Sequence, residues 1–255
     1  MPGMTLSRFS MASPSVRFDR HAHEYGAHAH VQRDMAQWLA EWLDPPSDML
    51  ALEFGAGSGF FTRLAQVGFP RLIATDCAPR MLALGQAVLP QVSWRLADAW
   101  KPPFQAKFCE AILSSSLLQW APDPCQVLQK WREILRPEGV MLHGFYVSPT
   151  LPELSELVDE VHLPLRWRSH VEWEDCFAEA GLEILRCERL TREYHYASSL
   201  AFWRDLHRTG TTGRPGMPAP RLRQCLQEYG RRFACNPMGS VRATWTFCRV
   251  EAKRL

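Results

Sequence analysis

The sequence predicts an α/β fold with a mostly parallel sheet covered by helices on both faces, and three observations predict it. Short apolar strands alternate with amphipathic helices between residues 49 and 146, a glycine-rich turn follows the first strand, and acidic residues close successive strands. Alternation of this kind requires crossovers between parallel strands, because a hairpin cannot join two strands running the same way.

The elements follow in order. Met49 to Phe54 reads as a strand, Gly55 to Gly59 as a tight turn, Phe60 to Gln66 as a helix and Arg71 to Thr75 as a second strand. A helix over Pro79 to Val88, strands over Val92 to Leu96 and Ala111 to Ser115, a helix over Pro124 to Leu135 and a strand over Val140 to Tyr146 complete the core. Before it, Phe18, Ala22, Tyr25, Ala29, Met35, Leu39 and Trp42 recur at helical spacing up to Asp44-Pro45-Pro46, giving two helices or one bent helix. After it, helices are expected over Glu153 to Val161 and Glu172 to Ala180, with strands over Leu182 to Arg189 and Ser240 to Val250, the last antiparallel. The segment Ala197 to Phe233 holds two helical patterns around a Gly- and Pro-rich turn and is too long for an ordinary connection. The expected organisation is a flexible tail over 1–15 and one domain over 16–255, with a helical lid inserted at about 196–236.

Composition narrows the function classes. A formal charge of +2 is too small to demand nucleic acid or an anionic membrane, no run approaches the length of apolar sequence that spans a bilayer, and the N-terminus lacks a signal pattern. Eight singly scattered cysteines, with no C-x-x-C, read as reduced thiols of a cytoplasmic protein. Metal is not expected: His21, His23, His28 and His30 recur two helical turns apart, whereas paired helix ligands sit at i, i+4.

The chemistry concentrates at the strand ends. Gly55, Gly57 and Gly59 let the backbone turn and approach a ligand closely. Their G-x-G-x-G spacing differs from the dinucleotide G-x-G-x-x-G, and Glu53 beside them would repel a pyrophosphate but suits a cationic ligand such as S-adenosylmethionine (AdoMet). An NAD-linked oxidoreductase is thereby disfavoured. Asp76 ends the second strand, where a carboxylate can accept from both ribose hydroxyls. Asp98 follows the third strand and is succeeded by Ala99-Trp100, a carboxylate for an adenine amino group and an aromatic for its ring. Taken singly, Asp76 reads equally well as a helix cap and Asp98 as a turn residue. Three acidic groups at successive strand ends of one sheet argue for a ligand site, since open α/β sheets bind ligands beyond the carboxyl ends of their strands.

The run LEFGAGSG, TD, AD, ILSSSLLQW and LRPEGVML resembles the Rossmann-like class I AdoMet-dependent methyltransferases over about residues 49 to 146. Four further features resemble the malonyl-[acyl-carrier protein] O-methyltransferases of biotin synthesis. These are Phe18-x3-Ala22-x2-Tyr25-x3-Ala29-x2-Gln32, Ser114 to Ser116 followed by Leu118-Gln119-Trp120, Thr150 to Leu154, and Leu200 to Gly210. The cofactor-binding set expected with this resemblance is Tyr25, Gln32, Glu53, Gly55, Ala56, Gly57, Gly59, Asp76, Cys77, Met81, Asp98, Ala99, Trp100 and Ser114. Ser115, Gln119 and Trp120 are expected at the substrate.

The activity it implies is esterification of the free carboxylate of malonyl-acyl-carrier protein or malonyl-CoA. That carboxylate is ionised at neutral pH and needs no general base, so positioning and desolvation carry the reaction. A guanidinium suits such a carboxylate, and Arg204 is the first candidate, with His207 and Arg208 behind it; the family usually has a Lys in this helix. Arg204, Arg208, Arg214, Arg221 and Arg223 against a single Asp205 would steer an acidic carrier protein. The same core would serve a methyltransferase of another small acid or metabolite. A non-catalytic AdoMet-fold partner protein is disfavoured by the intact loop, Glu53, Asp76 and Asp98.

Overall fold

The computed structural model describes residues 14–43, 48–158, 165–212 and 217–255. Most of the expected tail, the Asp44-Pro45-Pro46 stop and Arg214 lie outside these residues. Two helices open the described chain, α1 (Pro14–His28) and α2 (His30–Ala40), with Ala29 between them off the helical backbone at φ −87°, ψ 44°.

The core then alternates as β1 (Leu50–Phe54), α3 (Thr62–Gly68), β2 (Arg71–Asp76), α4 (Pro79–Val88), β3 (Ser93–Leu96), β4 (Cys109–Ser115), α5 (Pro124–Ile134) and β5 (Leu135–Tyr146). A short α6 (Pro152–Ser155), α7 (His170–Glu179) and β6 (Leu182–Tyr196) follow. The insertion α8 (Ser199–Arg208) and α9 (Ala219–Arg232) leads to β7 (Val241–Arg254). The seven strands are ordered β3-β2-β1-β4-β5-β7-β6. β7 runs antiparallel to both neighbours, and the pairs among β1 to β5 are parallel. This is the expected Rossmann-like sheet with its antiparallel last strand.

Both faces of the central strands are covered. Leu52, Phe54 and Ile112 pack with Trp131 of α5 and Phe177 of α7 on one side, and Ala51, Ala74 and Leu113 pack with Leu39 of α2 and Phe61 on the other. Local signals set the helix starts: Asp123 accepts from the Gln126 amide at 3.0 Å ahead of α5, and Ser169 and Glu172 form a reciprocal capping box at α7.

Several boundaries differ from the sequence expectation. β5 begins five residues early, at Leu135. The helix expected over Glu153 to Val161 is a single turn ending at Ser155, its last expected residues lying outside the description. There Glu153 turns inward to accept from the Thr244 amide at 3.1 Å and the Thr244 hydroxyl at 2.6 Å. β6 continues seven residues past Arg189, because β7 supplies a partner for that whole length. β5 pairs only with Phe247 to Lys253, so the first part of β7 and the end of β6 run on as a two-stranded ribbon past the carboxyl end of β5, with α8 and α9 at its tip. The cysteine reading is corrected as well. Cys125 at the start of α5 and Cys176 in α7 form a disulfide, brought together by packing of two helices far apart in sequence.

Candidate active site

The carboxyl edge of the sheet opens into three adjoining chambers. The largest, about 270 Å³, is lined by Gly55, Gly57, Asp76, Cys77, Met81, Asp98, Ala99 and Trp100, and also by Phe18 and Tyr25 of α1. A second lies against Glu53, Ala56, Ser58 and Phe60, and a third against Gln119, Trp120, Tyr146, Trp167 and Trp245. Tyr25 and Ser116 line all three, so the chambers meet at these two residues.

The glycine turn is built for a ligand. Gly55 and Gly57 hold φ of 66° and 57°, a left-handed region unfavourable for residues with a Cβ. A Cβ on Gly55 would lie 2.8 Å from Leu117, whereas one on Gly57 would point into open space, the chamber itself. Asp76 locks the turn: Oδ2 accepts from the Gly57 amide and Oδ1 from the Ala78 amide, both at 2.8 Å. One carboxylate therefore fixes the loop after β1 and the entry to α4 together. Burial raises the pKa of Asp76 and these backbone donors oppose the rise.

Glu53 is 1% exposed, and its Oε2 has no hydrogen-bond partner. Burial, reinforced by the negative charge of Asp76, pushes its carboxyl up to about 8, with the nearby Thr62 hydroxyl opposing. A buried carboxyl with an unpaired oxygen calls for a cationic donor, and Glu53 lines the chamber beside the glycine turn. The residues present thus fit AdoMet: a buried carboxyl suited to a cation at Glu53 and, in the larger chamber, the carboxylates of Asp76 and Asp98 beside the Trp100 ring.

The structure gathers most of the expected residues. Asp98 lines the large chamber and is also a turn residue, accepting from the Trp100 amide at 2.8 Å. Gln32 lies where the second and third chambers meet, and Trp120 joins the first and third. Ser115, expected at the substrate, lines the two cofactor chambers instead. Gly59 lines none of them; its Cβ position faces Leu89 and Trp94, so it serves packing of the turn.

Ser114 is a correction. Strand alternation turns it away from the cavity, fully buried and hydrogen bonded to His143 Nδ1 at 2.9 Å. Arg204 and His207 are exposed on α8, and Arg208 reaches His28 Nε2 at 2.8 Å and Glu24 at 3.7 Å; none of the three lines the acceptor side. The N-terminal histidines act in the same contact, His28 meeting Asp205 at 2.7 Å and the His21 ring lying 5.2 Å from that of His207, which ties α1 to α8.

Residues missing from the expected set include Ser116, Leu117, Tyr146, Trp167, Thr211 and Trp245. Ser116 carried a signal: it follows the fourth strand, and its φ of 56° marks the turn that presents it. Trp167 and Trp245 carried none, because a tryptophan in a loop or strand reads as packing.

Sheet order, glycine turn and acidic strand ends together define a class I AdoMet-dependent methyltransferase, and a family profile described as a methyltransferase domain matches residues 52–143. The fold is shared with the YcgJ protein from Bacillus subtilis, at TM-score 0.64 and 16% identity over 87% of this chain and 98% of that one. The chain is similar to the malonyl-[acyl-carrier protein] O-methyltransferase of Halorhodospira halophila, 30% identical over 89% of this chain and 82% of the relative. It is likewise similar to that of a Paenibacillus species, 27% identical over 91% and 94%. The chain belongs to the malonyl-[acyl-carrier protein] O-methyltransferase family.

Proposed function

We propose that this enzyme esterifies the free carboxylate of malonyl-acyl-carrier protein, or of malonyl-CoA, in biotin precursor synthesis, and that it works in the cytoplasm. The similarity to relatives of that name along nearly the whole chain supports the reading. The observation that carries it is the acceptor chamber: it abuts the cofactor chambers at Tyr25 and Ser116, and among the described residues no charged side chain lines it.

AdoMet, when bound, supplies a methyl group on a sulfonium, whose transfer to a carboxylate oxygen forms one O–C bond, breaks one S–C bond and cancels a positive against a negative charge. A charge-cancelling transfer is favoured where water is excluded. Phe18, Trp120, Tyr146, Trp167 and Trp245 provide that exclusion, while the Ser116 hydroxyl and the Tyr146 hydroxyl, 3.0 Å apart, hold the junction of the chambers in place. Glu53 and Asp76 would hold the cofactor at one end, and Phe18 and Tyr25 of α1 and Thr211 after α8 complete the lining on the acceptor side. No side chain has to take a proton from the acceptor.

Arg204, Arg221 and Arg223 are exposed on α8 and α9 and suit an acidic carrier protein better than they suit the carboxylate itself. Transfer of labelled methyl from AdoMet to malonyl-carrier protein, with acetyl-carrier protein as the control, tests the function. Labelling of both or of neither contradicts it.

A further inference from the structure

Two tryptophans that line the acceptor chamber carry indole N–H groups without a hydrogen-bond partner. Trp167 Nε1 and Trp245 Nε1 are both inaccessible to solvent and without a hydrogen-bond partner, and both residues line the chamber that meets the cofactor site. A buried donor left unpaired costs on the order of 1–3 kcal/mol, so two of them on residues that line one small chamber call for a partner. The Tyr196 hydroxyl lies near the Trp245 indole N–H, but the pair falls short of hydrogen-bond geometry.

The surroundings hold these donors in place. The rings of Trp167 and Trp245 lie 6.2 Å apart edge to face, and each also packs edge to face on Tyr146, at 6.3 and 5.1 Å. Trp245 is 2% exposed and sits on the β6–β7 ribbon past the end of β5. Trp167 precedes α7, and Arg168 beside it is turned toward the ring of Trp173, 5.9 Å away. The chamber takes roughly one or two water-sized groups, the room a pair of carboxylate oxygens needs. Gln119 presents the opposite polarity: its Nε2 donates to the Ser116 carbonyl at 2.7 Å, which leaves Oε1 as an unpaired acceptor.

We infer that Trp167 and Trp245 form an uncharged anion subsite whose two indole N–H groups receive the carboxylate of the methyl acceptor. This rests on the carboxylate-esterifying reading and names the groups that would carry its specificity. The chemistry favours neutral donors. A guanidinium would pair with the carboxylate and blunt its nucleophilicity, whereas two N–H dipoles orient it and leave its charge to be cancelled by the transfer. Gln119 Oε1 repels a carboxylate, so the charged oxygens turn toward the indoles.

The test uses the full chain with S-adenosylhomocysteine bound and ¹⁵N-labelled tryptophan, the Trp167 and Trp245 indole resonances being assigned from the Trp167→Phe and Trp245→Phe variants. Malonyl-carrier protein is expected to move both resonances downfield, and acetyl-carrier protein to leave them in place. In turnover each Phe variant is expected to lose about tenfold in kcat/KM for malonyl-carrier protein with AdoMet affinity unchanged, the effect of one lost hydrogen bond to a charged group. Unmoved resonances, or variants as active as a wild type that esterifies malonyl-carrier protein, overturn the subsite alone. A wild type that binds AdoMet but transfers no methyl to malonyl-carrier protein overturns the esterification reading, and the subsite with it, so wild-type turnover separates the two failures.

Discussion

The Gly57 amide donates to Asp76 Oδ2 at 2.8 Å, joining the turn after β1 to the end of β2 across nineteen residues of chain. Because the other oxygen of Asp76 holds the Ala78 amide, the residue shapes the cofactor chamber before any cofactor arrives. Asp76→Ala is therefore expected to weaken AdoMet binding by more than tenfold, since it removes two hydrogen bonds to a charged group at about 1.5–3 kcal/mol each in addition to any direct contact. Asp76→Asn keeps one acceptor oxygen and should fall between. Titration calorimetry checks both, and affinity unaltered in Asp76→Ala would sink the assignment.

Glu53 gives the cofactor site a pH dependence whose sign is fixed. Its carboxyl is held up at about 8 in the free enzyme, against an ordinary value of 4.5, and a bound ammonium would favour the ionised form. Binding then releases a proton, so AdoMet affinity should rise as pH increases from about 5 toward 8, at no more than tenfold per unit. The free enzyme should lose stability over the same window, because ionising Glu53 is harder folded than unfolded. Glu53→Gln should flatten both profiles, and calorimetry in buffers of different ionisation enthalpy should detect the released proton for wild type only.

His143 titrates in the opposite sense. Burial pushes its pKa down to about 3, and its Nδ1 is engaged by Ser114. The unfolded chain binds a proton near pH 6.5 that the folded chain refuses, so stability should fall as pH drops from about 6.5 toward 3, with a limiting slope of about 1.4 kcal/mol per unit. Denaturant titrations of wild type and His143→Asn should diverge in that range. Parallel curves would show that His143 does not stay neutral.

The core was legible because each device in it is local. Gly55, Gly57 and Gly59 after an apolar strand, and Asp76 and Asp98 at strand ends, are patterns that a single chain segment displays; Gly55, Gly57, Asp76 and Asp98 line the large chamber, whereas Gly59 faces Leu89 and Trp94. The two structural readings of the aspartates prove compatible with the ligand reading: Asp76 organises a helix entry and Asp98 a turn while both face the chamber. The acceptor side was not legible. Trp245 reaches the site only because β7 runs antiparallel past β5, a pairing that joins Tyr146 to Phe247 and that no local period announces. Ser114 was misassigned among three consecutive serines, where the face each residue takes depends on strand register. The Cys125–Cys176 bridge likewise depends on where α5 and α7 meet.

The exposed arginines give a prediction about the partner. Charge reversal at Arg221 and Arg223 together should lower kcat/KM for carrier-protein substrate several-fold and reduce its salt dependence, with little change in AdoMet affinity. Stopped-flow association with carrier protein at varied ionic strength is the check, and an unchanged association rate would place the docking face elsewhere.

The most direct test of the central claim is the mass of the acyl arm of malonyl-carrier protein after incubation with the enzyme and AdoMet. The account predicts a gain of one CH₂ that fragmentation places on the terminal carboxylate as a methyl ester, and no gain for acetyl-carrier protein. A malonyl arm left unmodified by enzyme that demonstrably binds AdoMet, or a methyl group found elsewhere on the carrier, would contradict it.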